Sequence, residues 1–179
     1  TGSGRATLEF GATEDGSVYA RDTSRPIVFA VGESLVTELR KGASEYRRKD
    51  VFDFRSFNAN RVEVRRGGET LTFERTKDKD GKEIWRDAAG KTVDSAKVED
   101  FLTKLSNLRA QSFETAQPPA LKSPELAVTV RFDQDKSETV TLGRSGADVY
   151  AARSNEPGAA KIDATPYEDA VKALDGLKQ

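Results

Sequence analysis

A unit of short strands closed by one amphipathic helix recurs three times along the chain, and no other feature limits the fold as strongly. One unit reads Ala6–Ala12, Ser17–Asp22 and Pro26–Val31, then a helix to about Lys41. The next reads Arg61–Arg66, Glu69–Thr76, Glu83–Asp87 and Lys91–Val93, then a helix to about Ala110. The third reads Ala127–Phe132, Glu138–Arg144, Asp148–Arg153 and Ala160–Ile162, then a helix to about Leu177. A unit of this kind cannot bury its apolar face alone and needs a neighbour. The pattern predicts an α+β fold of repeated β-β-β(-β)-α units, with antiparallel meander sheets and helices packed on one face.

The local signals agree with one another. Leu8 and Phe10, Val18 and Ala20, and Val62 and Val64 alternate with polar residues, the period of half-buried strands. Asp15-Gly16, Gly67-Gly68 and Asp80-Gly81 sit where hairpin loops need positive φ. In the middle helix Val98, Phe101, Leu102, Leu105 and Leu108 share a face, with Asp94 or Ser95 as N-cap. In the last, Thr165 is expected to cap, Pro166 to open the helix and Glu168 to complete a capping box, with Val171, Leu174 and Leu177 as the stripe. In the first, Leu35, Val36 and Leu39 are expected to face inward and Gly42 to stand just past the C-terminus.

These readings divide the chain into a first repeat at 5–57, a second at 58–116, a connection at 117–125 and a third repeat at 126–179. If the full unit opens with another strand, the sequence starts inside its first repeat. Pro118, Pro119 and Pro124 keep the connection out of helix and central strand, leaving a hinge between domains or a rigid crossover between repeats. Thr1-Gly2-Ser3-Gly4 reads as a flexible lead-in. The absence of methionine predicts a processed or engineered fragment, from which an anchor or signal peptide has been removed or never present.

Composition bears mainly on chemistry. There is no histidine and no cysteine, which excludes His general bases, Cys nucleophiles and Cys/His zinc sites. The net charge of −1 gives no overall pull toward nucleic acid or anionic lipid. Asp78-Lys79-Asp80-Gly81 resembles the start of a calcium loop, but Ala89 stands where the closing carboxylate belongs, so it reads as a hairpin tip. A hydrolase would have to use a Ser–Lys pair or two carboxylates, and no motif marks either. No catalytic residue, metal ligand or cofactor is therefore assigned.

Two clusters are candidate binding sites. Arg47, Arg48 and Lys49 lie beside Tyr46 and Phe52, which suits an anionic ligand or a partner surface; a solvated segment with its aromatics in the core is the simpler reading. Trp85, the one tryptophan, with Arg86 beside it, would stack a sugar or a peptide if exposed, although its place in a hairpin suits the core.

Residues 44–113 also carry a family likeness. Tyr46-Arg47-Arg48-Lys49 precedes Val51-Phe52-Asp53-Phe54. A strand near Val62, the Gly67-Gly68-Glu69-Thr70 hairpin, Trp85, Asp94 and the run Val98–Leu108 follow. This resembles the bacterial domain of unknown function 4340 family, and the flanking repeats fit the same pattern. The resemblance implies a cell-envelope protein, usually tethered by one N-terminal transmembrane segment with the domain outside the cytoplasm. It also implies association with gliding-motility-type ABC transporter components. No enzymatic residues are established for the family. The expectation is thus a non-catalytic extracytoplasmic binding or scaffold module, anchored if at all by a segment outside this sequence, with envelope or ABC transporter proteins as partners. A glycan- or peptidoglycan-binding module, a Ser–Lys or carboxylate hydrolase and a repeat scaffold that self-assembles through its edge strands are the alternatives.

Overall fold

The computed structural model describes residues 6–178. The lead-in read at Thr1–Gly4 lies outside them. The chain divides into two compact units with the boundary between Arg47 and Arg48. Residues 48–57, grouped with the first repeat in the sequence reading, pack in the second unit.

The first unit is a three-stranded antiparallel sheet, β1 (Leu8–Glu14), β2 (Ser17–Asp22) and β3 (Val28–Gly32), in that order. It is followed by α1 (Glu33–Leu39) and a single turn, α2 (Ala43–Tyr46). Asp15 and Gly16 take positive φ, 47° and 76°, and close the β1–β2 hairpin. Among its described residues, the buried apolar set is Val18, Ala20 and Val36. The expected inward face of α1 forms only in part: Val36 is buried, while Leu35 and Leu39 are 49% and 55% exposed. Gly42 does not end α1, which closes at Arg40. Gly42 has φ −67° and stands at the N-cap of α2, where the Glu45 carboxylate reaches back to its N–H at 3.3 Å. No positive φ is needed there, so the reason for a glycine past α1 does not arise.

The second unit holds the order of four strands and a helix twice. One is β4 (Ala59–Arg66), β5 (Glu69–Lys77), β6 (Glu83–Asp87), β7 (Thr92–Val93) and α3 (Ser95–Ser106). The other is β9 (Leu126–Phe132), β10 (Lys136–Ser145), β11 (Asp148–Arg153), β12 (Ala159–Ile162) and α4 (Ala164–Asp175). They join through their first strands. β4 and β9 are antiparallel, with Val62 opposite Val130, Glu63 opposite Thr129 and Val64 opposite Val128. The sheet has nine strands in the order β7-β6-β5-β4-β9-β10-β11-β12-β8.

The helices repeat as closely as the strands. Both are twelve residues long and both start from an aspartate N-cap. Asp94 accepts from the N–H groups of Ala96 and Lys97, and Asp163 from that of Thr165. Counted from those caps, Val98, Phe101 and Leu105 correspond to Tyr167, Ala170 and Leu174, and all six are buried. α3 and α4 pack against each other, covering a single core with Phe52, Phe54, Trp85, Val128 and Val140 beneath. Thr165 is therefore not the cap of α4. The Asp163 carboxylate takes its N–H at 3.0 Å, Pro166 falls inside the first turn where a missing N–H costs nothing, and Glu168 pairs with Arg144 at 3.0 Å.

The middle helix stops at Ser106, short of the expected end near Ala110, and the chain becomes strand β8 (Ala110–Glu114). β8 does not stay with its own repeat. It pairs with β12 at the far edge, Phe113 opposite Ala160, and so seals the other copy. From there the Pro-rich segment returns across the face opposite the helices. A 3₁₀ turn, Pro119–Leu121, lies on β10 and β11, and Leu121 packs with Ala152, Ala159 and Tyr150. Gly143 leaves room for it: a Cβ there would stand 2.5 Å from the carbonyl oxygen of Ala120. No helix among the described residues is long and apolar enough to cross a membrane.

Candidate functional site

The boundary between the two units cuts the basic cluster in half. Tyr46 closes α2, 59% exposed, with its hydroxyl donating to the carbonyl of Glu38. Arg47 is half-buried and Lys49 exposed. The Lys49 carbonyl accepts from Ala110 at 2.7 Å, tying the segment to the start of β8.

Arg48 opens a charged network that the sequence did not disclose. Its guanidinium donates to Asp50 at 3.0 Å and to Asp53 at 2.5 Å. Arg153, on β11, grips Asp53 with two parallel N–H···O bonds of 2.9 Å each. The same guanidinium reaches the carbonyls of Val51 at 2.9 Å and Asp50 at 3.3 Å. From β10, Glu138 accepts the backbone N–H groups of Asp53 and Phe54, each at 2.9 Å. Arg109 and Arg55 add longer contacts to Asp50, at 3.4 Å and 3.8 Å. Such a planar fork against a carboxylate is the strong form of the ion pair.

The purpose of this network is visible in what it holds. Between Asp50 and Asp53 the chain turns Phe52 inward, and Phe54 follows one residue on. Both rings are fully buried and meet edge to face at 5.4 Å. Loop backbone that plunges into a core must find partners for its N–H and C=O groups. Arg153 and Glu138 supply them from two neighbouring strands.

Titration follows from these contacts. The hydrogen bond from Arg153 holds the Asp53 carboxyl below the usual carboxylate range, against the cost of burial, and that from Arg48 does the same for Asp50. Burial pushes Glu138 up, more than its two backbone N–H bonds pull it down. Two carboxyl groups with diverging pKa values are a pattern of acid–base sites. Here, however, the Glu138 oxygens are occupied by loop N–H groups and Asp53 by two arginines. The signs differ for stability. Lowered aspartates stabilise above their unfolded value of about 3.9 and lose that contribution as pH falls through their folded values. Glu138, raised, acts oppositely and favours the folded state as pH falls. With Asp50 and Asp53 both on one side, net stability is expected to fall below about pH 4. Urea midpoints measured against pH should show Asp53→Asn with a flatter acid limb; an unchanged limb would remove Asp53 as a cause of it.

Trp85 is 1% exposed, in the main core, with the Arg75 guanidinium 5.0 Å from its ring centre. It has no face open to a sugar ring, because alternation along β6 turns it toward the helices. Arg86 points to the opposite side, half-buried, and donates to the carbonyl of Gly90 at 2.7 Å. The pair singled out from sequence is thus split by the sheet, and stacking by Trp85 is ruled out on geometry.

Most of the large apolar residues left open lie elsewhere. Leu8, Ile27, Val28, Phe29, Leu35 and Leu39 are 39–65% exposed and belong to the first unit, whereas Phe57, 77% exposed, stands alone in the second among the described residues. Their hydrophobicity is evident in the sequence; their exposure is not, since strand and helix patterning turns Leu8, Leu35 and Leu39 inward.

No curated protein and no solved structure matches the chain. The family described as a domain of unknown function, DUF4340, matches residues 1–124, which take in the first unit, the first of the two longer repeats, β8 and the turn beyond it. Since the match spans well over half of the 179 residues, the chain belongs to the DUF4340 family.

Proposed function

We propose that the chain is a non-catalytic, extracytoplasmic module of a cell-envelope protein, which recognises other protein chains through its first unit and serves an ABC transport system. The observation that carries the reading is the apolar surface at residues 6–47, where Val28 is 65% and Ile27 57% exposed. Exposed apolar patches mark sites for other proteins, and Ile27, Val28 and Phe29 are three successive exposed residues. The ionisable groups of the second unit that lie closest to a catalytic pattern, Asp53 and Glu138, are committed to holding a loop. The envelope setting and the transporter partner rest on the family likeness set out above.

Photo-crosslinking in cells tests this. A crosslinking residue at Leu39, on the apolar surface, is expected to capture transport components identified by mass spectrometry. The same residue at Arg65, on the exposed polar side of β4, is expected to capture none. Equal capture at both sites, or a cytoplasmic location by protease accessibility, overturns the reading.

A further inference from the structure

We propose that the first unit carries a self-pairing edge: two copies of the chain join β3 to β3, antiparallel, about a two-fold axis normal to the sheet. This rests on reading the first unit as a recognition surface and names one partner for it, a second copy.

The two edges of the small sheet differ. β1 carries Glu9 and Glu14, and its register with β2 shifts between Phe10 and Thr13. Charge and a bulge are how edge strands avoid pairing. β3 has neither. Its register with β2 runs unbroken from Ser17–Gly32 to Arg21–Val28, and no charged residue stands between Pro26 and Gly32. Along that stretch Ile27, Val28 and Phe29 are 57%, 65% and 39% exposed. Charge selects the occupant. Antiparallel self-pairing sets an uncharged residue opposite an uncharged one at every position of β3. Of the chain's other edge strands, β1 and β8 would bring Glu9, Glu14 or Glu114 against it, and β7 is only two residues long, Thr92–Val93.

The second unit shows what such an edge accepts. β12 precedes α4 as β3 precedes α1, and β12 has its outer edge closed by the antiparallel strand β8. There too, two runs of strands meet through an antiparallel pair, β4 and β9, with their helices α3 and α4 side by side. Pairing of β3 about an axis normal to the sheet places both α1 helices on one face, where Leu35 and Leu39 of each copy are open to meet. A unit with three buried apolar residues among those described gains from this a larger core.

Sedimentation equilibrium of the whole chain provides the test. A reversible dimer is expected, with Val28→Lys or Ala30→Lys shifting it to monomer while far-ultraviolet circular dichroism stays unchanged. Monomer at every soluble concentration, or a dimer indifferent to both substitutions, overturns the proposal. The chain has no cysteine, so an independent variant is clean: Ala30→Cys should oxidise to a covalent dimer at least tenfold faster than Thr13→Cys on β1. Equal rates also overturn it. The two readings fail separately. A monomeric chain that still crosslinks envelope components through Leu39 retains the recognition surface and loses the dimer; a dimer without such crosslinks does the reverse.

Discussion

Arg153→Ala is expected to destabilise the second unit by about 3 kcal/mol, read as a lower urea midpoint with an unchanged slope. Arg153 is the hub of the network: its side chain is 14% exposed, and it bonds both oxygens of Asp53 and the carbonyls of Asp50 and Val51. Removal leaves the carbonyls of Val51 and Asp50 without this donor and the partly buried Asp53 carboxylate with Arg48 alone, and the unmade bonds cost more than the made ones gained. Arg153→Lys separates charge from shape. An ammonium keeps the charge but cannot reproduce the fork, so it is expected to recover less than half of the loss. Full recovery by lysine would mean that charge alone matters and the bidentate geometry does not. Amide exchange of Phe52 and Phe54 should accelerate in Arg153→Ala more than that of the β4–β9 centre, because the loop is what the arginine holds.

Gly158→Ala is expected to cost about as much, roughly 3 kcal/mol, by a different route. Gly158 has φ +80°, and a Cβ there would stand 2.2 Å from the carbonyl oxygen of Glu114. That oxygen is backbone at the end of β8, opposite Ala159 in the β12 ladder, so it cannot move aside without opening the pair. Gly146→Ala is the control. Its φ is +63° with nothing within 4 Å of the added carbon, so it reports the backbone strain alone, about 1 kcal/mol. The difference between the two measures how firmly β8 is held at the edge. Amide protection of Gln111–Phe113 should fall in Gly158→Ala and stay in Gly146→Ala. Equal losses in the two variants would show that β8 yields at no cost.

Much of this architecture is legible in the sequence, and the limits have physical causes. Strand alternation and the Asp-Gly and Gly-Gly turns place β2, β6 and β11 at their observed bounds, since both signals act within a few residues. The stripes of α3 and α4 are equally local. The cap of α4 was misplaced because Thr165, Pro166 and Glu168 imitate a capping box, while Asp163, two residues before Thr165, has the better acceptor. β8 was hidden because Leu108 and Ala110 continue the helical spacing of Val98–Leu105. Its strand character comes from a partner, β12, about fifty residues away in sequence. The charged network had no local signal at all. Asp53 meets Glu138 and Arg153 across separations of 85 and 100 residues, and neither strand residue differs in type from its solvated neighbours. Of the sites proposed from residue type, Arg48 belongs to that network, Trp85 belongs to the core, and Arg86 is bonded to its own hairpin. What distinguishes the first unit is exposure, a property of arrangement that residue type does not carry.

The junction of β4 with β9 has a consequence for how the protein comes into being. Translation delivers β4 long before β9, and β8 before β12, so each strand leaves the ribosome with one flank bare and its mate not yet made. The nascent chain must carry the first long repeat unfinished, open to wrong partners, until some sixty further residues have emerged.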